Sequence, residues 1–209
     1  MRATSVMRFV VFGAIGFGIG WAVAGFLNRA LIAITHPMFS PGPGQQPLPW
    51  WVSWPSQLAS FFGGACGGAG LGLALGNWKR VAALTVAGFL AFGVGNFILF
   101  VLAFLFGFPL MSVVSGAFGG LILGVALADW RGVLLLGLAG MVGFGVGGAI
   151  ATALGMPPLA FDWEQPPLWL VLYVLVQAMV GIIGGASLGV ALGYLESRKL
   201  AEERRPRVR

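Results

Sequence analysis

Six long stretches of the chain contain no Asp, Glu, Lys or Arg: about Phe9 to Leu27, Leu58 to Gly76, Val81 to Phe106, Leu110 to Ala128, Val133 to Leu154 and Leu168 to Tyr194. Each exceeds the roughly 17 residues that an α-helix needs to cross a hydrocarbon core at about 1.5 Å per residue. A soluble globule must coat itself with polar residues, and a chain that is 58% hydrophobic and 9% charged lacks the material to do so. The apolar runs show no period-two alternation, which excludes a membrane β-barrel. Glycine, at 35 residues, would weaken helices in water but lets helices approach closely in lipid. The expectation is an all-α integral membrane protein of six transmembrane helices.

The basic residues give these helices a direction. Arg2 and Arg8 precede the first run, Lys79 and Arg80 separate the second from the third, and Arg131 separates the fourth from the fifth. Arg198, Lys199, Arg204, Arg205, Arg207 and Arg209 follow the sixth. With six spans all of these share one side, and short loops rich in Lys and Arg stay cytoplasmic. Both termini are therefore expected in the cytoplasm, in a membrane of the bacterial inner (plasma) type. Arg29 alone departs from the pattern, and its long side chain can snorkel to the headgroups. Arg2, Arg8 and the Ala22-Val23-Ala24 segment resemble a cleavable signal peptide, but the first run also matches two internal runs, which a removable leader has no reason to do.

That match belongs to a threefold internal repeat. Gly64, Gly68, Gly72 and Gly76 in the second run align with Gly116, Gly120, Gly124 and Ala128 in the fourth, and with Gly181, Gly185, Gly189 and Gly193 in the sixth. In the odd runs Gly16, Phe17 and Gly20 align with Ala91, Phe92 and Gly95, and with Gly143, Phe144 and Gly147. Regularity of this kind indicates tandem units. Three parallel hairpins are expected, at approximately 8–77, 78–129 and 130–195, within one membrane domain (1–195) followed by a basic cytoplasmic tail (196–209). Small residues four apart form a straight groove on a helix face, so glycine-zipper packing in a pseudo-threefold bundle is the expected arrangement.

Chemistry is harder to find. No span carries a central ionisable group, and no HExxH, GxSxG or phosphate-binding loop occurs, so no catalytic residue and no cofactor is expected. The single histidine, His36, lies in a loop, and a metal site made by His36 with Asp162 and Glu164 is less natural than solvated loop charges. Ser60, Ser112 and Gln177 occupy equivalent positions and form either a polar ring or three separate interhelical hydrogen bonds, each worth roughly 1 kcal/mol. Asn96 has no polar equivalent in the other repeats and needs an amide partner in lipid.

The loops opposite the basic ones are rich in Pro and in Trp50, Trp51, Trp54, Trp163 and Trp169. They fit an interfacial aromatic belt or a docking surface for a membrane-protein partner. The lipid bilayer accounts for the net charge of +6 without nucleic acid. The functional expectation is a non-catalytic structural or accessory subunit of a membrane complex. The alternative is a small transporter or channel passing a neutral or weakly polar solute along the pseudo-threefold axis. A substrate-binding importer subunit is a third class, but the sequence offers it no recognisable pocket.

Overall fold

The computed structural model describes residues 3–39, 54–106, 108–127, 129–155 and 167–203. The regular structure among them is six α-helices: α1 (Ala3–Phe39), α2 (Trp54–Leu75), α3 (Trp78–Phe106), α4 (Phe108–Ala126), α5 (Trp130–Ala153) and α6 (Pro167–Glu203). Helices α2, α4 and α6 each hold a proline in their first turn, Pro55, Pro109 and Pro167. A missing N–H costs nothing there, because the first turn has no intrahelical acceptor for it.

The turns after α2 and α4 both lead into a helix capped by a side chain. Gly76 ends α2 in the left-handed region at φ 68°, and its N–H reaches the Leu73 carbonyl at 3.0 Å. Asn77 then caps α3 by accepting the Lys79 N–H at 2.9 Å, and Asp129 caps α5 by accepting the Arg131 N–H at 3.1 Å. The end of the molecule that carries these turns is called the turn end below, and the opposite end the loop end.

Four helices, α1, α3, α5 and α6, are long and apolar enough to cross a membrane. Among the described residues the apolar stretches of α2 and α4 are Ser60–Leu75 and Leu110–Ala126, which are shorter. Helices α1 and α6 extend well beyond the uncharged runs, each reaching 37 residues.

Each helix packs against its neighbours in the chain, and α6 returns to α1, so the six close into a ring. Large aliphatic side chains such as Ile15, Ile19, Leu138, Val142, Leu175 and Val190 point outward and are exposed. The seams are lined instead by glycine. A β-carbon added at Gly64 would collide with the carbonyl oxygen of Gly88, and one added at Gly88 with that of Gly64. The same reciprocal collision joins Gly116 to Gly140 and Gly185 to Gly13. Further along these seams Gly68 meets the Leu84 carbonyl, Gly120 that of Leu136, Gly181 that of Phe17 and Gly189 that of Phe9. Gly72 and Gly124 lie against the α-carbons of Val81 and Val133.

The odd helices turn a second small face to their other neighbour. A β-carbon at Gly16 would lie 2.8 Å from the Cys66 carbonyl oxygen, and one at Gly20 would lie 2.7 Å from that of Gly63. Likewise Gly143 faces Ser187 Cβ at 2.6 Å and Gly147 faces Val180 Cα at 3.0 Å. Gly95, at the corresponding place in α3, meets the Phe118 ring at 2.8 Å. The α3–α4 contact there runs through a side chain, where Gly16 and Gly20 meet backbone. Backbone contact gathers many dispersion interactions of about 0.1 to 0.2 kcal/mol each, which lipid cannot match once the helix surfaces interlock.

Candidate functional site

The interior of the ring is the natural place to look for a path or pocket, and it is filled. Phe17, Phe92 and Phe144 come from the alternate helices α1, α3 and α5, and all three are at most 2% exposed. Their ring centroids are 5.3 Å (Phe17–Phe92), 5.6 Å (Phe17–Phe144) and 5.1 Å (Phe92–Phe144) apart. Offset and edge-on contacts at this spacing are the favourable ones for aromatic quadrupoles. Each ring sits over a glycine of the next helix: Phe17 over Gly67, Phe92 over Gly119, and Phe144 over Gly184. No β-carbon fits under any of the three.

Leu71, Leu123 and Leu188 are buried in the same core from α2, α4 and α6. One turn toward the loop end, Trp21 lies against Phe92 and Phe144 with centroids at 6.3 and 6.1 Å, and its ring covers Gly63. The sequence marks the three phenylalanines as equivalent, but only the ring of helices shows that they touch one another.

The polar residues lie elsewhere. Ser112 sits against Gly148 in the α4–α5 seam, while Gln177 packs its Cγ toward Gly25 in the α6–α1 seam. Ser60 is buried on α2. Ser112 and Gln177 thus belong to different seams. Near Gln177, Asn28 Nδ2 donates to the Tyr173 hydroxyl at 3.1 Å. Two buried polar atoms on this side of the molecule, Trp21 Nε1 and Asn28 Oδ1, have no protein partner. Trp50, Trp51, Asp162, Trp163 and Glu164, and the side chains of Arg29, His36, Trp54, Asn96 and Trp169, lie outside the described residues.

The turn end is ionic. Arg80 at the start of α3 pairs with Glu196 of α6 at 3.2 Å. Lys199, one turn further along α6, reaches Asp129 at 3.4 Å and Glu196 at 3.9 Å. Arg8 donates from Nη2 to the Leu73 carbonyl at 3.1 Å, tying α1 to the end of α2. Desolvation pushes the Asp129 carboxyl up, but hydrogen bonds from the Gly132 and Arg131 N–H groups and the nearby Lys199 ammonium outweigh it, and the group rests below its ordinary value of 3.8. In the sequence the basic residues signal topology and contact with lipid, and nothing there pairs Arg80 with Glu196 or Lys199 with Asp129. The Asn77 and Asp129 caps, each two residues before a basic residue at a helix start, were the available sign of an ordered turn.

Among the described residues no three His, Cys, Asp or Glu side chains come together as a metal site. Cys66 is a free thiol between α1 and α2. No family model, no curated protein and no solved structure matches the chain.

Proposed function

We propose that this protein is a non-catalytic membrane scaffold, a structural or accessory subunit whose rigid ring of helices presents surfaces to a larger assembly. The observation that carries this reading is the aromatic plug. Three phenylalanine rings in mutual contact at 5.1 to 5.6 Å occupy the place where a solute path would run. Dry, close-packed interiors resist deformation, which suits a part whose task is to hold shape.

In this reading all six helices cross the bilayer. Helix α2 has 22 residues and α4 has 19, which at 1.5 Å per residue is about 33 and 28 Å against a hydrocarbon core of about 30 Å. The bundle is three repeats around a pseudo-threefold axis, held by glycine zippers. The equivalent contacts Gly64–Gly88, Gly116–Gly140 and Gly185–Gly13, with the Phe17, Phe92 and Phe144 triad, support that description. The Lys and Arg bias supports a cytoplasmic turn end in a bacterial-type inner membrane.

A second reading, passage of a small neutral solute, is favoured by one observation: the unpartnered Trp21 Nε1 and Asn28 Oδ1 on the loop side of the plug. Flux measurements on reconstituted protein separate the two. The scaffold reading expects no flux of small neutral solutes above empty vesicles for the wild type. Measurable wild-type flux that falls in the combined Ser60→Ala, Ser112→Ala and Gln177→Ala variant would replace the scaffold with the transporter.

A further inference from the structure

The caps of α3 and α5 at the turn end are built alike and charged differently. Asp129 caps α5 and is neutralised by Lys199 at 3.4 Å, whereas Asn77 makes the same backbone bond at the start of α3 without a charge. Of the cations around Asn77, Arg80 is committed to Glu196. Arg8 bonds the Leu73 carbonyl and faces the Phe12 ring, and Lys79 bonds Asn77 through its backbone, so among the described residues neither of these two side chains has a carboxylate partner.

The surface beside these cations is apolar and open. Trp78 is 79% exposed, Leu73 is exposed, and the Arg8 guanidinium lies 5.9 Å from the centroid of the exposed Phe12 ring. Uncompensated positive charge joined to an apolar strip at a helix end fits an amphiphile with an anionic head. A free anion would leave the strip unused.

We propose that the α2–α3 turn, through Arg8, Lys79 and Trp78, holds the phosphodiester headgroup of an anionic phospholipid, with an acyl chain lying along Phe12 and Leu73. This rests on the reading that the turn end lies at the membrane surface, and it is independent of whether the ring transports anything. The neutral cap at Asn77 keeps the site open, since an aspartate there would occupy the cations as Asp129 occupies Lys199.

The test is native mass spectrometry of the full chain in a neutral detergent, with phosphatidylglycerol, phosphatidylcholine or inorganic phosphate added. The expected result is selective retention of phosphatidylglycerol, reduced about fivefold for each cation removed in Arg8→Gln and Lys79→Gln. Asn77→Asp retains the cap geometry that Asp129 displays, and should lose the lipid while keeping the wild-type helix content and thermal midpoint. Arg131→Gln, at the other turn, should leave retention unchanged. Equal retention of both phospholipids, equal losses in Arg131→Gln and Lys79→Gln, or displacement by inorganic phosphate or a polyglutamate peptide would each overturn the proposal. Failure of the protein to enter vesicles would instead overturn the membrane reading on which it rests.

Discussion

Helices α2 and α3 meet through a short turn, as do α4 and α5, but α6 and α1 meet from opposite ends of the described chain, and yet the contact is the same in kind. Gly185 and Gly13 exclude β-carbons from each other's carbonyls just as Gly64 and Gly88 do, or Gly116 and Gly140. A short turn holds its two helices at high effective concentration, so little entropy remains to be lost when their faces dock. The α6–α1 seam has no such help and must close over most of the chain. It is also a long seam, with Gly181, Gly185, Gly189 and Gly193 all against α1 and an added bond from Asn28 to Tyr173. The comparison teaches that covalent connection and interface length substitute for one another in closing the ring.

The largest effects should come from placing leucine at the centre of each seam. Gly68, Gly120 and Gly185 are equivalent, and each faces backbone, which cannot move aside as a side chain can. Each leucine variant should lose stability at or above the roughly 3 kcal/mol upper end of ordinary overpacking. If the turns do what is argued, Gly185→Leu is the first to open, with the lowest thermal midpoint in detergent and loss of a disulfide cross-link engineered between α1 and α6. A Gly185→Leu midpoint above that of Gly68→Leu would mean that the turns contribute nothing to closure.

Next in size is the plug. Phe92→Ala and Phe144→Ala remove a buried ring from α3 and α5, and Phe17→Ala removes one from α1, each leaving a cavity that costs about 3 to 5 kcal/mol. Each ring touches the other two and lies over a glycine of the next helix, so the three variants should lose similar stability by chemical or thermal unfolding. A loss confined to one of them would show that the three rings do not act as a unit.

Much of this architecture was legible in the sequence, and the reason is chemical. A bilayer demands long uncharged runs, and close helix approach demands small residues at a four-residue spacing, so Gly64, Gly68, Gly72 and their equivalents announce both the helices and their packing faces. What the spacing does not carry is the identity of the neighbour. The column Gly64, Gly68, Gly72 is equally compatible with α1 or α3, and only the folded arrangement shows that it meets α3 while Gly16 and Gly20 of α1 meet the Cys66 side of α2. The same ambiguity affected the polar layer. Ser112 and Gln177 lie four residues before a seam glycine and so point along the seam face, whereas the ring interior receives Phe17, Phe92 and Phe144. Equivalence in sequence fixes depth and face, but proximity depends on how the faces are turned about the axis.

At the turn end the comparison can be sharpened with acid. Lys199 ties α6 to the α4–α5 turn through Asp129, and Arg80 ties α6 to α3 through Glu196, so α6 is held from both sides by charge. The Asp129 carboxyl is lower in the folded state than its ordinary 3.8, which means its contribution is fully present above that value and disappears as the pH falls through the lower folded value. Wild-type midpoints should therefore fall more steeply than those of Asp129→Asn below about pH 4. The two proteins should converge at the acid end. Parallel curves would show that the Asp129 charge, held by the Gly132 and Arg131 N–H groups and by Lys199, adds nothing to stability.

The smallest expected effect concerns a side-chain bond across the unlinked seam. Asn28 donates to the Tyr173 hydroxyl at 3.1 Å near the loop end of α1 and α6, far from any turn that could hold the helices together. Interhelical hydrogen bonds in membrane proteins average about 0.6 kcal/mol, because the separated helices also find partners. Tyr173→Phe deletes the hydroxyl but retains the ring that packs at Gly25, so its cost should stay near that average. Asn28→Leu removes the donor together with Oδ1, which has no protein partner, and relief of that buried acceptor offsets part of the loss. Asn28→Leu is thus expected to be no more destabilising than Tyr173→Phe by thermal unfolding in one detergent. A loss well above that of Tyr173→Phe would show that Asn28 Oδ1 is satisfied in the native membrane by water or a bound polar molecule, and that the unlinked seam is strengthened by more than its glycines.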